Sequence, residues 1–153
     1  MAAEIGSLAP NFTLPDPTGE VFSSESLRGR KSLVVFIPFP FTGTCEGELC
    51  ALRDHLADLN DLDANVVAIT CDTRFANGKW SEINRFGFPV LSDFWPHGAA
   101  ARAYGSFNEK TGSANRITYV LDPDGVVSDI IDSGSLGTPR EYDEYVRALQ
   151  AIG

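Results

Sequence analysis

The chain has 153 residues, 43% of them hydrophobic and 22% charged, which suits one domain with its own core and excludes a disordered or disulfide-stapled chain. A formal charge of -9 repels phosphates and anionic lipid, so neither nucleic acid nor a membrane surface is expected as a partner. No apolar run approaches the ~20 residues of a membrane span. The N-terminal residues lack the basic head and apolar stretch of a signal peptide, and the cysteines are only three, so a reducing, cytoplasmic setting with working or buried thiols is expected.

Phe12-Thr13-Leu14 and Val21-Phe22 read as short strands joined by a turn at Asp16-Pro17-Thr18-Gly19. Ser32 to Pro38 is an apolar run of strand length, expected to be central and buried. A helix is expected over Thr44 to Asn60, with Leu49, Leu52, Leu56 and Leu59 as its apolar stripe. Asn65 to Cys71 reads as a second buried strand. Helices follow over Ala76 to Phe86 and Gly98 to Tyr104, with a short strand at Val90-Leu91 between them. Arg116 to Leu121 and Val126 to Ile131 form a hairpin across Asp122-Pro123-Asp124-Gly125, and Glu141 to Ile152 closes the chain as an amphipathic helix. This order predicts a single α/β domain over residues 1–153, with a mixed central sheet flanked by helices in the thioredoxin-like arrangement.

Fold does not fix function, so the reading turns on one segment. Pro38-Phe39-Pro40-Phe41-Thr42-Gly43-Thr44-Cys45-Glu46-Gly47-Glu48 links the end of a buried strand to the start of a helix. Cys45 falls in the first turn, among amide N–H groups that have no partner within the helix. Those donors and the helix dipole favour an anion, and the thiolate is the nucleophilic form of cysteine. Thr42 stands three residues earlier, where its hydroxyl could donate to a bound oxygen or to the sulfur. Pro38 and Pro40 carry no N–H and could shield the site from water. The alternative is plain: Thr44 caps the helix and Cys45 is an inert first-turn residue.

Pro38, Thr42 and Cys45 match the Pro-x-x-x-Thr-x-x-Cys signature of the peroxiredoxins, and the chain resembles that family over most of its length. The resemblance runs from Gly6, Ala9, Pro10, Phe12 and Leu14 through Leu91-Ser92-Asp93 to the late hairpin. Phe41-Thr42-Gly43, Gly47-Glu48-Leu49, Leu52-Arg53-Asp54-His55-Leu56 and the segment from Ser92 to Gly98 are similar to the AhpE type, with the bacterioferritin-comigratory or Q type as a near relative. The resemblance implies a thiol-dependent peroxidase acting on hydrogen peroxide and small organic hydroperoxides, with peroxynitrite as a further candidate substrate. Cys45 would be the peroxidatic sulfur, oxidised to a sulfenic acid. Arg116 would polarise the peroxide and hold the thiolate, a role suited to a permanently charged fork of donors. Glu48, one turn after Cys45, either orients Arg116 or faces solvent. The family further implies a homodimer or larger homo-oligomer, and a reductant such as thioredoxin, a mycoredoxin-like protein or a low-molecular-weight thiol. Neither a cofactor nor a metal is expected.

Cys50 follows Cys45 by five positions, the spacing of the resolving cysteine in Q-type and some AhpE-like members; other AhpE-type members work with one cysteine. On a helix Cys50 lies roughly 140° around from Cys45 and about 7.5 Å along the axis, on the side of Arg53, Asp54 and Ala57, so it is expected on the more polar, outward face. A disulfide needs Cα atoms within about 7 Å and converging Cβ vectors, so it requires the first turns to unwind. Gly47 weakens that stretch. Cys50 is therefore either the resolving thiol or an inert one. Cys71, at a strand end, reads as a packing residue. Cysteine spacing fits neither an iron–sulfur site nor zinc, and His55 and His97 read as surface or packing residues. Phe94 and Trp95 suit a pocket, a dimer contact or the core. Two other functions compete: a thioredoxin-type disulfide oxidoreductase, against which the missing Cys-x-x-Cys counts, and a non-enzymatic redox sensor.

Overall fold

A computed structural model describes residues 2–152. A hairpin of β1 (Thr13–Pro15) and β2 (Val21–Ser23) opens the chain, and a 3-10 turn (Ser24–Leu27) leads into β3 (Lys31–Phe36). Helices α1 (Gly43–Asp54) and α2 (Leu56–Asp61) carry the chain over to β4 (Ala64–Thr70). Then come α3 (Arg74–Asn84), β5 (Val90–Ser92), α4 (Ala99–Tyr104) and the small pair β6 (Phe107–Asn108) and β7 (Ser113–Ala114). The hairpin of β8 (Ile117–Leu121) and β9 (Val127–Asp132) precedes the last helix, α5 (Tyr142–Gln150).

Five strands form the main sheet in the order β5-β4-β3-β8-β9. β3 runs parallel to β4 and antiparallel to β8, so the sheet is mixed about its central strand. Alternation along β3 explains why its sequence is apolar throughout. Leu33, Val35 and Ile37 face one core layer with Leu49, Leu52, Trp80 and Leu149, whereas Val34 and Phe36 face a second layer with Phe12, Leu91 and Tyr104. Both faces are covered, which is the thioredoxin-like sandwich expected from the element order.

Two local features differ from the expectation. The helix predicted over Thr44 to Asn60 is two helices, broken at His55, whose backbone leaves the helical region (φ −106°, ψ 14°). Its ring stacks on Tyr142 at 4.1 Å between centroids and its Nδ1 lies 2.9 Å from the Ala51 carbonyl, tertiary and local contacts that periodicity does not encode. The paired β6 and β7 were not anticipated, because two-residue strands leave no repeat to read.

Candidate active site

The site is built at the carboxyl end of β3, where the chain leaves the sheet and turns into α1. Pro38 is buried there, and Phe41 adopts a left-handed backbone (φ 64°) that swings the loop into the helix. Thr42, not Thr44, is the N-cap residue, and the first helical bond runs from the Glu46 N–H to the Thr42 carbonyl at 2.9 Å. Cys45 is therefore the third residue of α1, where a capping box would place glutamate or glutamine. The Thr42 hydroxyl neither caps the helix nor meets the sulfur; it donates to the Phe39 carbonyl at 2.7 Å.

Cys45 is fully buried, at 0% exposure, yet it is not surrounded by apolar groups alone. Arg116, at the start of β8, donates from Nη2 to Cys45 Sγ at 3.1 Å. Its guanidinium is held from two other sides. Nε and Nη2 donate to the Leu136 carbonyl at 2.9 and 2.6 Å, and Nη1 donates to Glu48 Oε1. Glu48 is buried rather than solvated and receives a second arginine. Arg140 donates to it from Nε (2.8 Å), Nη2 (2.9 Å) and its backbone N–H (2.6 Å). The remaining Arg140 donor, Nη1, reaches the Phe36 carbonyl at 2.9 Å and Thr118 Oγ1 at 3.1 Å. Burial pushes the Glu48 carboxyl up, but the hydrogen bonds and charge of Arg140, joined by Arg116, outweigh it and hold the carboxyl below its ordinary value. Two buried cations then share one carboxylate, and the Arg116 guanidinium, which Glu48 only half neutralises, lies against the sulfur.

Beside α1 an open groove of about 470 Å³ runs along Gly43, Gly47, Glu48, Arg140 and Tyr142. A second cleft, of about 270 Å³, is bounded by Arg116, Asn115, Asp132 and Leu136.

All three cysteines are free thiols. Cys50 is half-buried rather than turned to solvent. It packs against the core layer under α1, and its thiol points to Asn84 Oδ1 at 3.8 Å. Burial pushes that thiol up. Cys71 is buried in the other layer, and burial, with Asp93 and Asp72 nearby, pushes its thiol up to about 12. Phe94 and Trp95 are exposed, which removes the core reading for both. His55 is half-buried against Tyr142, and His97 Nε2 lies 2.7 Å from the Gly112 carbonyl. Among the described residues no group of three or more His, Cys, Asp or Glu is arranged to hold a metal, and no helix is long and apolar enough to cross a membrane.

Comparison with known proteins decides the family. The AhpC/TSA family matches residues 5–130. The chain belongs to that family and is a peroxiredoxin. It is 41% identical over 150 residues to alkyl hydroperoxide reductase E of Mycobacterium tuberculosis, a match covering 96% of this chain and 98% of the relative. It is 28% identical over 161 residues to the thioredoxin peroxidase of Trypanosoma brucei rhodesiense, covering 98% and 79%. Among solved structures, peroxidoxin BcpB from Mycobacterium tuberculosis superposes with a TM-score of 0.88 at 29% identity, covering 99% of both chains. These matches make this peroxiredoxin a thiol-dependent peroxidase by family.

The residues singled out in the sequence do not all converge. Cys45, Arg116 and Glu48 meet in one hydrogen-bonded cluster, Pro38 closes the strand beneath it, Thr42 borders it with its hydroxyl engaged elsewhere, and Cys50 faces away toward α3. Arg140 was missed. It follows the Ser133-to-Pro139 loop and lies 92 positions from Glu48, and no local pattern marks an arginine there as buried. The only signal for it is an unexplained basic residue just ahead of the last helix.

Proposed function

We propose that this peroxiredoxin reduces hydrogen peroxide and small organic hydroperoxides, peroxynitrite included, at the sulfur of Cys45. The observation that carries the proposal is the 3.1 Å contact from Arg116 Nη2 to a fully buried Cys45 in the first turn of a helix. The sulfur attacks one peroxide oxygen. A sulfur–oxygen bond forms and the O–O bond breaks; the leaving oxygen takes a proton and departs as water from hydrogen peroxide or as an alcohol from an organic hydroperoxide, and from peroxynitrite the leaving group is nitrite. Cys45 remains as a sulfenic acid. Arg116 stabilises charge as it develops on the leaving oxygen in a site closed to bulk water. Glu48 holds Arg116 in that position, and Arg140 holds Glu48. Thr42, with its proton on Phe39, offers lone pairs to the peroxide O–H or turns to donate; Pro38 adds no competing donor.

Cys50 then attacks the sulfenic acid, releasing water and forming a disulfide. A thiol reductant, whether thioredoxin, a mycoredoxin-like protein or a low-molecular-weight thiol, returns the enzyme to its starting state. The names of the relatives support the substrate and reductant classes: one is called an alkyl hydroperoxide reductase and another a thioredoxin peroxidase. A second reading has its own support. Cys50 is wound into α1 with its thiol pushed up by burial, which favours a one-cysteine cycle in which the outside thiol attacks Cys45 directly. A single domain working in the cytoplasm as a homodimer or larger homo-oligomer completes the proposal, and sedimentation tests the assembly.

The deciding experiment is intact mass after one equivalent of hydrogen peroxide, on wild type and Cys50→Ser. Loss of hydrogen in wild type with gain of oxygen in the variant supports resolution by Cys50. Gain of oxygen in both selects the one-cysteine cycle. No rapid change in either overturns the peroxidase assignment to Cys45.

A further inference from the structure

Glu46 lies next to the peroxidatic cysteine but points away from the arginine cluster, toward the C-terminal end of α3. Its Oε1 accepts from Trp80 Nε1 and from Asn84 Nδ2, both at 3.0 Å. Trp80 is fully buried, and its ring also meets Phe41 at 6.2 Å between centroids. One indole thus grips the chain on both sides of Cys45, at residue 41 and at residue 46. Asn84 adds a second grip, because its Oδ1 faces the Cys50 thiol at 3.8 Å and its carbonyl accepts from Arg53 Nη1 at 2.7 Å. Residues 46, 50 and 53 form one face of α1, and all three are tied to the same end of α3.

Wound as it is, α1 keeps Cys45 and Cys50 on different sides, too far apart along the axis for a disulfide. The residues that must come loose are those held by Trp80. We propose that Glu46, clasped by Trp80 and Asn84, is a latch that sets how fast the first turns of α1 unwind, and so how fast oxidised Cys45 reaches Cys50. Glu46 and Trp80 are positioning residues in this account and touch neither peroxide nor sulfur. The step they govern is Cys45–SOH plus HS–Cys50 giving the disulfide and water. The competing step, a second peroxide converting the sulfenic to a sulfinic acid, gains whenever the latch stays shut. Gly47 works against the latch. It is exposed in α1, a Cβ added there would meet nothing within 4 Å, and its cost to the helix is not offset by packing.

The latch is a property of the reduced protein, while its consequence rests on the reading of Cys50 as the resolving thiol, so two measurements separate them. The first is amide exchange at Glu46, Gly47 and Glu48 in the reduced full chain. The second is the first-order rate of disulfide formation after a pulse of hydrogen peroxide. Both are made on wild type, Trp80→Phe, Glu46→Ala, Glu46→Gln and Gly47→Ala. Trp80→Phe removes the N–H and keeps an aromatic ring, and Glu46→Ala, at a half-buried surface position, guards against a folding defect in the tryptophan variant. Loss of the charge-assisted bond speeds exchange and disulfide formation about tenfold in Trp80→Phe and Glu46→Ala. Glu46→Gln keeps the acceptor but loses its charge, and falls between wild type and Glu46→Ala. Gly47→Ala slows both by about fivefold, the measure of glycine against alanine in a helix. The bimolecular rate of the first oxidation stays unchanged throughout. Unchanged amide exchange in every variant overturns the latch, whatever the disulfide rate. Faster exchange with no disulfide in any variant upholds the latch and overturns Cys50 as the resolving thiol.

Discussion

Cys45 and Cys71 lie beyond the carboxyl ends of neighbouring parallel strands, β3 and β4, and both are buried. Their surroundings have opposite sign. Around Cys45 the nearest ionised groups are Arg116, in contact with the sulfur, and the Glu48–Arg140 pair behind it. Around Cys71 they are Asp93 and Asp72, which add to burial in pushing the thiol up to about 12. Burial is common to both, so burial does not make a nucleophile. On the proposed reading, the positive charge placed against Cys45 suits it, and not Cys71, to the nucleophilic role.

The largest expected effect breaks the comparison at its root. Cys45→Ser abolishes peroxide consumption, whereas Cys71→Ser leaves the rate per folded molecule within about twofold, since a thiol so far up is almost wholly protonated at neutral pH. A coupled peroxide assay on both variants reads the contrast, and loss of activity in Cys71→Ser would contradict it. Next comes the carboxylate that orders the arginines. Glu48→Gln leaves two buried guanidinium groups short of their counter-charge and lowers stability by about 3–5 kcal/mol in urea unfolding. A change under about 0.5 kcal/mol, the range of an ordinary surface substitution, would show that Glu48 is dispensable.

Acid sharpens the same point. The Glu48 carboxyl sits below its ordinary value of 4.5 in the folded protein. Its contribution to stability is then complete above that ordinary value and is lost as pH falls through the lower folded one. The stability gap between wild type and Glu48→Gln is therefore constant near neutrality and closes below about pH 4.5. A gap that widens on acidification would reverse the sign of the shift. The smallest effect concerns the third thiol. Cys50→Ser changes the bimolecular rate of the first oxidation by less than about twofold, because Cys50 faces α3 and not the arginine cluster. A clear slowing, followed by rapid-quench mass measurement, would place Cys50 in the peroxide step.

How much of this could be read from the chain differs residue by residue. The run Ser32 to Pro38 followed by Pro, Gly and a helical stretch was enough to put Cys45 at a strand-to-helix junction, because both signals are local. The α/β order and the late hairpin were equally legible. Arg116 carries no local mark; it was named only through resemblance to the family. Glu48 was ambiguous, since its place on the helix says which face it lies on but not that two arginines meet that face. Arg140 and Trp80 were illegible as parts of the site. Their partners, Glu48 and Glu46, lie 92 and 34 positions away, and only the folded sheet brings them together. The face of Cys50 was read as polar from Arg53 and Asp54, whereas α3 packs over it, and a single helix cannot announce which neighbour will cover it.

The most direct test of the central claim is the bimolecular rate of Cys45 oxidation by hydrogen peroxide in wild type and Arg116→Met, measured by rapid quench and intact mass. The account predicts a fall of about 10²–10³, the cost of removing one preorganised donor from developing charge. A rate within about twofold of wild type would mean that the guanidinium against the sulfur takes no part in the chemistry.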